Sequence, residues 1–180
     1  MAVKLPRTIR LDPSDTFVYS NVAEPGEWAV TGTFLFFGAD IASLSGKERQ
    51  AFRAGFLGID SFGWSTLAVV TEATTPERRE LVEKLAEQLV TRCGAPGLAA
   101  ARPAAEEEIT FAQSLCDHPA GTLLALSRTS ENAGIRETFR SLHRKVSKLD
   151  PAGAFRFIEI EEGDELVEEV DIRALVGQGK

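Results

Sequence analysis

The sequence predicts one α+β domain, in which a mixed, mostly antiparallel sheet of about six strands carries helices mainly on one face. The chain has 180 residues, a length that suits a single domain. Apolar residues make up 43 % and charged residues 26 %, which is typical of globular proteins. Short apolar segments come first, and strands then alternate with segments of helical spacing. This order favours a two-layer domain.

The first quarter of the chain predicts three short strands. Residues 7–11 alternate between apolar and polar, residues 16–20 are rich in aromatic and β-branched side chains, and residues 28–37 are apolar on both faces. Turns rich in proline and glycine separate them. The short connections predict an antiparallel meander with 28–37 as a central strand.

Two helices and a strand follow. Ser45 has a glutamate three residues on and predicts a capped helix that ends near residue 56. Thr75 precedes proline and glutamate and predicts a second helix, which Gly94 ends. Between the two helices, residues 64–72 predict a strand.

The second half continues the alternation. Residues 103–115 predict a helix, 122–129 a strand, 132–149 a helix, 155–161 a strand and 165–176 a short terminal helix. The helix over 132–149 depends on apolar residues spaced four and three apart, namely Ile135, Phe139, Leu142, Val146 and Leu149.

Charge divides the chain near residue 153. Residues 151–180 hold 8 acidic and 3 basic side chains, a net charge of −5. We therefore expect residues 1–153 to form the domain, and residues 154–180 to add a strand and an acidic helical tail that packs on it. The predicted core consists of Trp28, Phe34, Leu67, Val69, Leu85, Leu89, Leu124, Leu126, Phe139 and Leu142.

Composition excludes several classes of function. The net charge is −7, from 20 basic and 27 acidic residues, whereas general nucleic-acid binding needs a basic face. No apolar run approaches the roughly 18 residues of a membrane span. Two cysteines argue against a disulfide scaffold, and the first residues lack the apolar centre of a secretory signal. We expect a cytoplasmic protein.

Carboxylate, thiol and imidazole groups occur together in the sequence at Glu107, Cys116 and His118. These are ligand types for zinc, and a Cys-x-His pair can contact one ion. A third and fourth ligand are missing from the pattern, and Cys116 lies on an apolar helical stripe where it would pack as a small hydrophobe. We predict no metal, no cofactor and no catalytic residue, and keep the three residues as candidate ligand contacts.

A second candidate is the loop over residues 55–64, which is rich in glycine and aromatic residues. Its aromatic side chains, including Trp64, would line a pocket with Asp60 as the polar group. The alternative is that the aromatic residues belong to the core between a helix and a strand.

Basic residues recur every fourth position in the predicted helix over 132–149, which would make them a stripe on its surface. Three partners for the stripe stay open: acidic residues of the same chain, an acidic partner protein, or an anionic ligand. The stripe consists of Arg136, Arg140, Arg144 and Lys148.

Three segments carry a resemblance to a known family. They are Lys4-Leu-Pro-Arg-Thr-Ile-Arg-Leu-Asp12, the stretch over residues 55–66, and the stretch from Ala104 to Pro119. Over residues 4–145 the chain resembles a family of small uncharacterised alphaproteobacterial proteins, a domain of unknown function. The resemblance implies a bacterial protein and assigns no activity to any residue.

Together these observations favour a non-catalytic accessory or binding protein that acts through contacts with an unknown protein partner, without nucleic acid or membrane. The alternative is a small enzyme or ligand-binding protein with its site at the 55–64 loop or at Glu107, Cys116 and His118. The acidic tail and the basic stripe would meet within one chain or between two chains of a homodimer.

Overall fold

The computed structural model describes residues 2–132, 134–145 and 159–170. The described helices are α1 (Ser14–Val18), α2 (Gly46–Ala54), α3 (Thr75–Cys93) and α4 (Leu98–Ser114). The described strands are β1 (Ala2–Ile9), β2 (Ala29–Val30), β3 (Phe56–Gly58), β4 (Trp64–Ser65), β5 (Leu67–Thr74), β6 (Leu123–Glu131), β7 (Gly134–Lys145) and β8 (Glu159–Val170).

The strands form two antiparallel sheets. The larger sheet has the order β1-β5-β6-β7-β8, and the smaller has the order β2-β3-β4. Strands β4 and β5 are separated by a single residue, so the small sheet continues directly into the large one. The predicted α+β class is confirmed, although two sheets replace the single sheet of about six strands.

The predicted N-terminal meander is wrong. Strand β1 pairs with β5, which lies far along the chain. The second expected strand, over residues 16–20, is not formed, because its first three residues belong to helix α1. The expected strand over 28–37 stops after two residues, and Thr33–Phe36 form a 3-10 helix. Gly32 separates them with φ +76°, a left-handed conformation that favours glycine. Its neighbours leave no room for a side chain, since a Cβ there would lie 2.6 Å from Leu57 Cβ.

Helices α2 and α3 confirm their predictions. Thr74 caps α3 one residue earlier than expected, and it exchanges hydrogen bonds with Glu77 in a complete capping box. Gly94 ends the helix in the left-handed conformation. Ser45 holds the N-cap position of α2 without a side-chain capping bond. No described helix has the length and apolar character that crossing a membrane requires.

The helix predicted over residues 132–149 is wrong, because residues 134–145 form strand β7. Asn132 has φ +48° in the tight turn that joins β6 to β7, where Glu131 pairs with Gly134. Alternate side chains then point inward, as in a strand with one covered face. The buried side chains are Ile135, Glu137, Phe139 and Ser141.

The terminal helix predicted over 165–176 is also wrong where the structure describes it. Residues 159–170 form β8, which pairs with β7 of the same chain. The predicted strand over 155–161 is seen from residue 159 onward; residues 146–158 and 171–180 lie outside the described residues. The domain boundary at residue 153 stays a prediction.

The core lies between the inner face of the large sheet, the small sheet and helices α2 to α4. Of the predicted core, six residues are buried: Trp28, Leu85, Leu89, Leu124, Leu126 and Phe139. The other four are half-buried: Phe34, Leu67, Val69 and Leu142. The register places the last three on the face of the sheet opposite to the buried Ala68, Leu124 and Phe139; we call it the outer face.

A buried ion pair lies at the centre of this core. Arg128 of β6 and Glu137 of β7 occupy paired positions, and Arg128 Nε lies 3.1 Å from Glu137 Oε1, with both side chains almost fully buried. Thr33 Oγ1 donates to Glu137 Oε1 and accepts from Arg128 Nε. Burial lowers the pKa of the Arg128 guanidinium, while Glu137 acts in the opposite direction. A guanidinium stays charged even so, because its ordinary pKa is very high.

Replacing Arg128 by methionine is expected to lower the free energy of unfolding by about 3–5 kcal/mol, because Glu137 would keep its buried charge without a cation. Urea denaturation measures this. Arg79→Met, at an exposed arginine of α3, is the matched control. The double variant Arg128→Met/Glu137→Leu should recover part of the loss. A cost for Arg128→Met no larger than that of Arg79→Met would contradict the prediction.

The capping box predicts a pH dependence. Hydrogen bonds from the Thr74 backbone and hydroxyl hold the pKa of Glu77 below its ordinary value of 4.5. A lowered folded-state pKa stabilises the fold above the unfolded-state pKa, and this stabilisation disappears as the pH falls through the folded-state pKa. Glu77→Gln should therefore lower the Tm at pH 7 and leave it closer to wild type below about pH 4. The exposed Glu80→Gln is the control, and equal Tm differences at both pH values would refute the prediction.

Candidate functional site

The outer face of the large sheet carries two apolar rows. In one row Val69, Leu123 and Leu142 lie on neighbouring strands in register. In the adjacent row Ile9, Leu67 and Ala125 do the same. All six are half-buried, and none belongs to the core clusters found among the described residues. We refer to these six residues as the outer apolar face.

A small cleft of about 120 Å³ lies at one end of the outer apolar face, lined in part by Ile9, Leu67 and the exposed Leu11. Its buried carboxylate, Asp15, is already engaged: its oxygens accept from Thr66 N at 3.0 Å and from Thr66 Oγ1 at 2.6 Å. Binding chambers for drug-sized ligands measure roughly 300–1,000 Å³. The cleft therefore extends the apolar surface and is too small to be such a chamber.

Asp15 and Thr66 belong to a hydrogen-bonded group with Tyr19. The Tyr19 hydroxyl lies 2.9 Å from Thr66 Oγ1, and burial raises the pKa of Tyr19 to about 12. A phenol with that pKa stays protonated at neutral pH. The group thus ties α1 to the junction of β4 and β5.

A larger, open groove of about 530 Å³ separates α3 from α4. Ion pairs cross between the two helices here, with Arg102 Nε 2.9 Å from Glu83 Oε1 and Arg78 Nη2 2.6 Å from Glu106 Oε1. The Arg78 guanidinium holds the pKa of Glu106 below its ordinary value. Because these charges are paired, the groove does not present convergent groups of one sign to a ligand.

The structure does not bring Asp60 and Trp64 together in a pocket. Asp60 is exposed, and its Oδ1 lies 3.4 Å from Lys84 Nζ. The Trp64 ring stacks on Phe36 with centroids 5.4 Å apart. A Cβ on Gly55 would lie 2.7 Å from the same indole, so this glycine permits close packing. The aromatic residues of the 55–64 segment therefore pack in the core, as the alternative interpretation of this loop predicts. Residues 56–58 form strand β3.

The second predicted group is also dispersed. Glu107 is exposed, Cys116 is 1 % exposed in the apolar cluster under the sheet, and His118 is half-buried. Burial raises the pKa of the Cys116 thiol to about 12. His118 instead meets His143 of β7, with ring centroids 6.1 Å apart. Among the side chains that the structure describes, no three His, Cys, Asp or Glu residues are grouped to hold a metal ion.

The basic stripe is part of a strand. The register of β7 and β8 places Arg136 opposite Glu169 and Arg140 opposite Glu165, within the same chain. In this register, acidic residues of the same chain lie opposite the two arginines, which favours the first of the three partners named for the stripe. Arg144 pairs in register with Ile160, and Lys148 lies outside the described residues.

Sequence reasoning missed the Arg128–Glu137 pair and the meeting of His118 with His143. Residues nine positions apart have no local signal for contact, and the pair becomes adjacent only through the turn between β6 and β7. For the histidines, one signal was available: they are the only two in the chain.

The two cysteines are expected to differ in reactivity. Cys93 is exposed at the end of α3, whereas the Cys116 thiol is buried and has a raised pKa. Iodoacetamide at pH 8 should add one group, at Cys93, and a second at Cys116 only after unfolding in urea. Intact-protein and peptide mass spectrometry measure this, with Cys93→Ser as the control. Equal native labelling rates would show that Cys116 is accessible.

Comparison with known proteins places the chain in a family and adds no chemistry. No curated protein and no solved structure matches it. A family model described as a family of unknown function, DUF6505, matches residues 1–156. The match includes β1 to β7 and the outer apolar face, and ends before β8. The chain belongs to this family of unknown function, DUF6505.

Proposed function

We propose that this chain is a non-catalytic accessory protein that binds protein through its outer apolar face. The observation that carries the proposal is the pair of apolar rows across β1, β5, β6 and β7, in register and outside the core clusters of the described residues. Apolar surface left in water forfeits roughly 25 cal/mol per Å² that burial would recover.

The chemistry of this surface suits a protein partner. Sheets pack face to face through rows of aliphatic side chains of this kind. Beyond the rows, β6 presents the exposed polar residues Ser127 and Thr129, and β7 presents the exposed Arg140. An apolar centre with a polar rim is the usual anatomy of a protein interface. A net charge of −7 disfavours nucleic acid as the occupant.

The occupant to which we commit is a second copy of the chain. A symmetric dimer uses one patch twice, and apolar rows that cross the middle of a sheet can face their own copies about a two-fold axis. The acidic segment 159–170 is not needed to join the copies, because it pairs with β7 of its own chain. The proposed dimer contact therefore differs from the one that the charge pattern suggested, in which the acidic tail of one chain meets the basic stripe of another.

Substituting lysine for Leu123, at the centre of the outer apolar face, is expected to weaken association at least tenfold, because a charge would be buried between the copies. Sedimentation equilibrium from one to one hundred micromolar measures the dissociation constant. Thr129→Lys is the matched control, since it adds the same charge on the same strand and face at an exposed position outside the rows.

The expected result is a dimer for wild type and Thr129→Lys, and a monomer for Leu123→Lys with an unchanged circular dichroism spectrum. A wild-type chain that stays monomeric at one hundred micromolar would overturn the second copy as occupant. Equal weakening by both variants would exclude the outer apolar face as the contact.

A further inference from the structure

Four large apolar side chains are exposed among the residues that the structure describes, and two of them lie beside the cleft at the end of the outer apolar face. They are Leu11, which is 59 % exposed, and Phe17, which is 72 % exposed. Leu11 lines the cleft itself. Phe17 follows Ser14, another lining residue, by three positions in α1, and residues with this spacing are neighbours on one face of a helix. An exposed aromatic ring and a cleft with apolar walls are therefore adjacent on one surface.

The cleft has the size of one aromatic ring. Its volume is about 120 Å³, and an apolar cavity of about 150 Å³ in another protein binds benzene. Its apolar walls are formed by Ile9, Leu11 and Leu67. Phe17 does not fill the cleft of its own chain, because its side chain stays largely in water. The cleft can therefore receive a ring that comes from another molecule.

The polar groups that line the cleft already have partners within the chain. Arg10 Nη2 donates to the Ala23 carbonyl at 2.8 Å, and Asp12 Oδ1 accepts from Ser14 N at 2.8 Å. The Asp15 carboxylate accepts two further hydrogen bonds. An apolar ring can enter without taking a hydrogen bond from any of these groups, a loss that would be costly once they are covered. The lining thus suits an apolar occupant.

The outer apolar face needs further apolar area to support a stable dimer. A standard protein interface covers about 800 Å² on each partner, whereas the six residues of the outer apolar face are all half-buried within the single chain. An aromatic side chain buries about 150–250 Å² when it is fully covered. At 72 % exposure, Phe17 therefore has roughly 110–180 Å² left to cover. A large side chain that fills a pocket on the partner is the usual form of an interface hot spot.

Given the proposed function, in which a second copy covers the outer apolar face, we propose that Phe17 of each chain inserts into the cleft of the other. A two-fold axis can lie in the plane of the contact and run from Leu123 to the boundary between Phe17 and the cleft. Such an axis pairs the two outer apolar faces and makes both insertions at once. Each dimer then contains two identical insertions.

Replacing Phe17 by alanine is expected to weaken the dimer at least about thirtyfold, which is the effect of a hot-spot residue. Sedimentation equilibrium of the full chain measures the dissociation constant, and circular dichroism verifies the fold. Phe37→Ala is the matched control, because it removes the same ring at a position that is 40 % exposed and does not line the cleft. Phe37→Ala should stay within about threefold of wild type.

A mixed dimer distinguishes the insertion from a general loss of apolar surface. Leu11→Asp keeps Phe17 and places a carboxylate at the wall of the cleft, so the dimer of this variant should also be weakened. In a mixture with Phe17→Ala, one intact Phe17 faces one intact cleft. The mixed dimer should therefore be at least threefold tighter than the dimer of either variant alone. Fluorescence anisotropy of the Phe17→Ala chain, labelled at the exposed Cys93, measures this.

The insertion and the proposed function can fail separately. If Leu123→Lys is monomeric and Phe17→Ala dimerises as tightly as Phe37→Ala, the insertion is overturned and the outer apolar face keeps its role. A mixture of Phe17→Ala and Leu11→Asp that is no tighter than either variant alone would place Phe17 outside the cleft, and this also overturns the insertion. A wild-type chain that stays monomeric at one hundred micromolar overturns the second copy as occupant, and the insertion with it.

Discussion

The buried guanidinium of Arg128 holds the two sheets and helix α2 together. Its nitrogens donate to Thr33, to the Thr31 carbonyl and to Glu137, which joins β6 to β7 and to the segment after β2. Arg128 Nη1 also donates to three carbonyls at the end of α2, where the helix dipole is negative. Those carbonyls belong to Ala51, Phe52 and Gly55. A buried cation is costly unless every donor is satisfied, so each of these segments depends on the others.

This constraint sets the orientation of β7 and therefore of the surfaces that the chain presents. With Glu137 turned inward toward Arg128, the alternation of the strand turns Arg136 and Arg140 outward. The same alternation places Leu142, after an irregularity in the pairing with β8, in the row with Leu123. The core ion pair and the outer apolar face are thus two consequences of one register.

Strand β8 has a separate role at the edge of the sheet. It carries seven acidic residues among its 12 positions, and three of them are opposite lysine or arginine residues of β7 in the register. Acidic side chains along an edge strand discourage pairing with further chains. The protein contact that we propose therefore uses a face of the sheet and not its β8 edge. The family match ends before β8.

The sequence by itself determined the local features. The start of α3, its capping residues and its glycine stop were all predicted, because a capping box connects residues only three positions apart. Composition determined the globular class, and the quoted segments identified a family of unknown function. Two of the five apolar positions singled out in 132–149, Ile135 and Phe139, are buried.

Only the tertiary structure decided whether that segment is a helix or a strand. Residues four positions apart share a face in both, so Ile135 and Phe139 satisfy either period. Glu137 lies between these two residues on the same face of the strand. Burying its charge in the core costs free energy, and the strand is compatible with this only because Arg128 of β6 pairs with it. Long-range pairing likewise decided the position of β1 beside β5 and brought His118 to His143. Such contacts join residues far apart in the chain, and local periodicity carries no information about them.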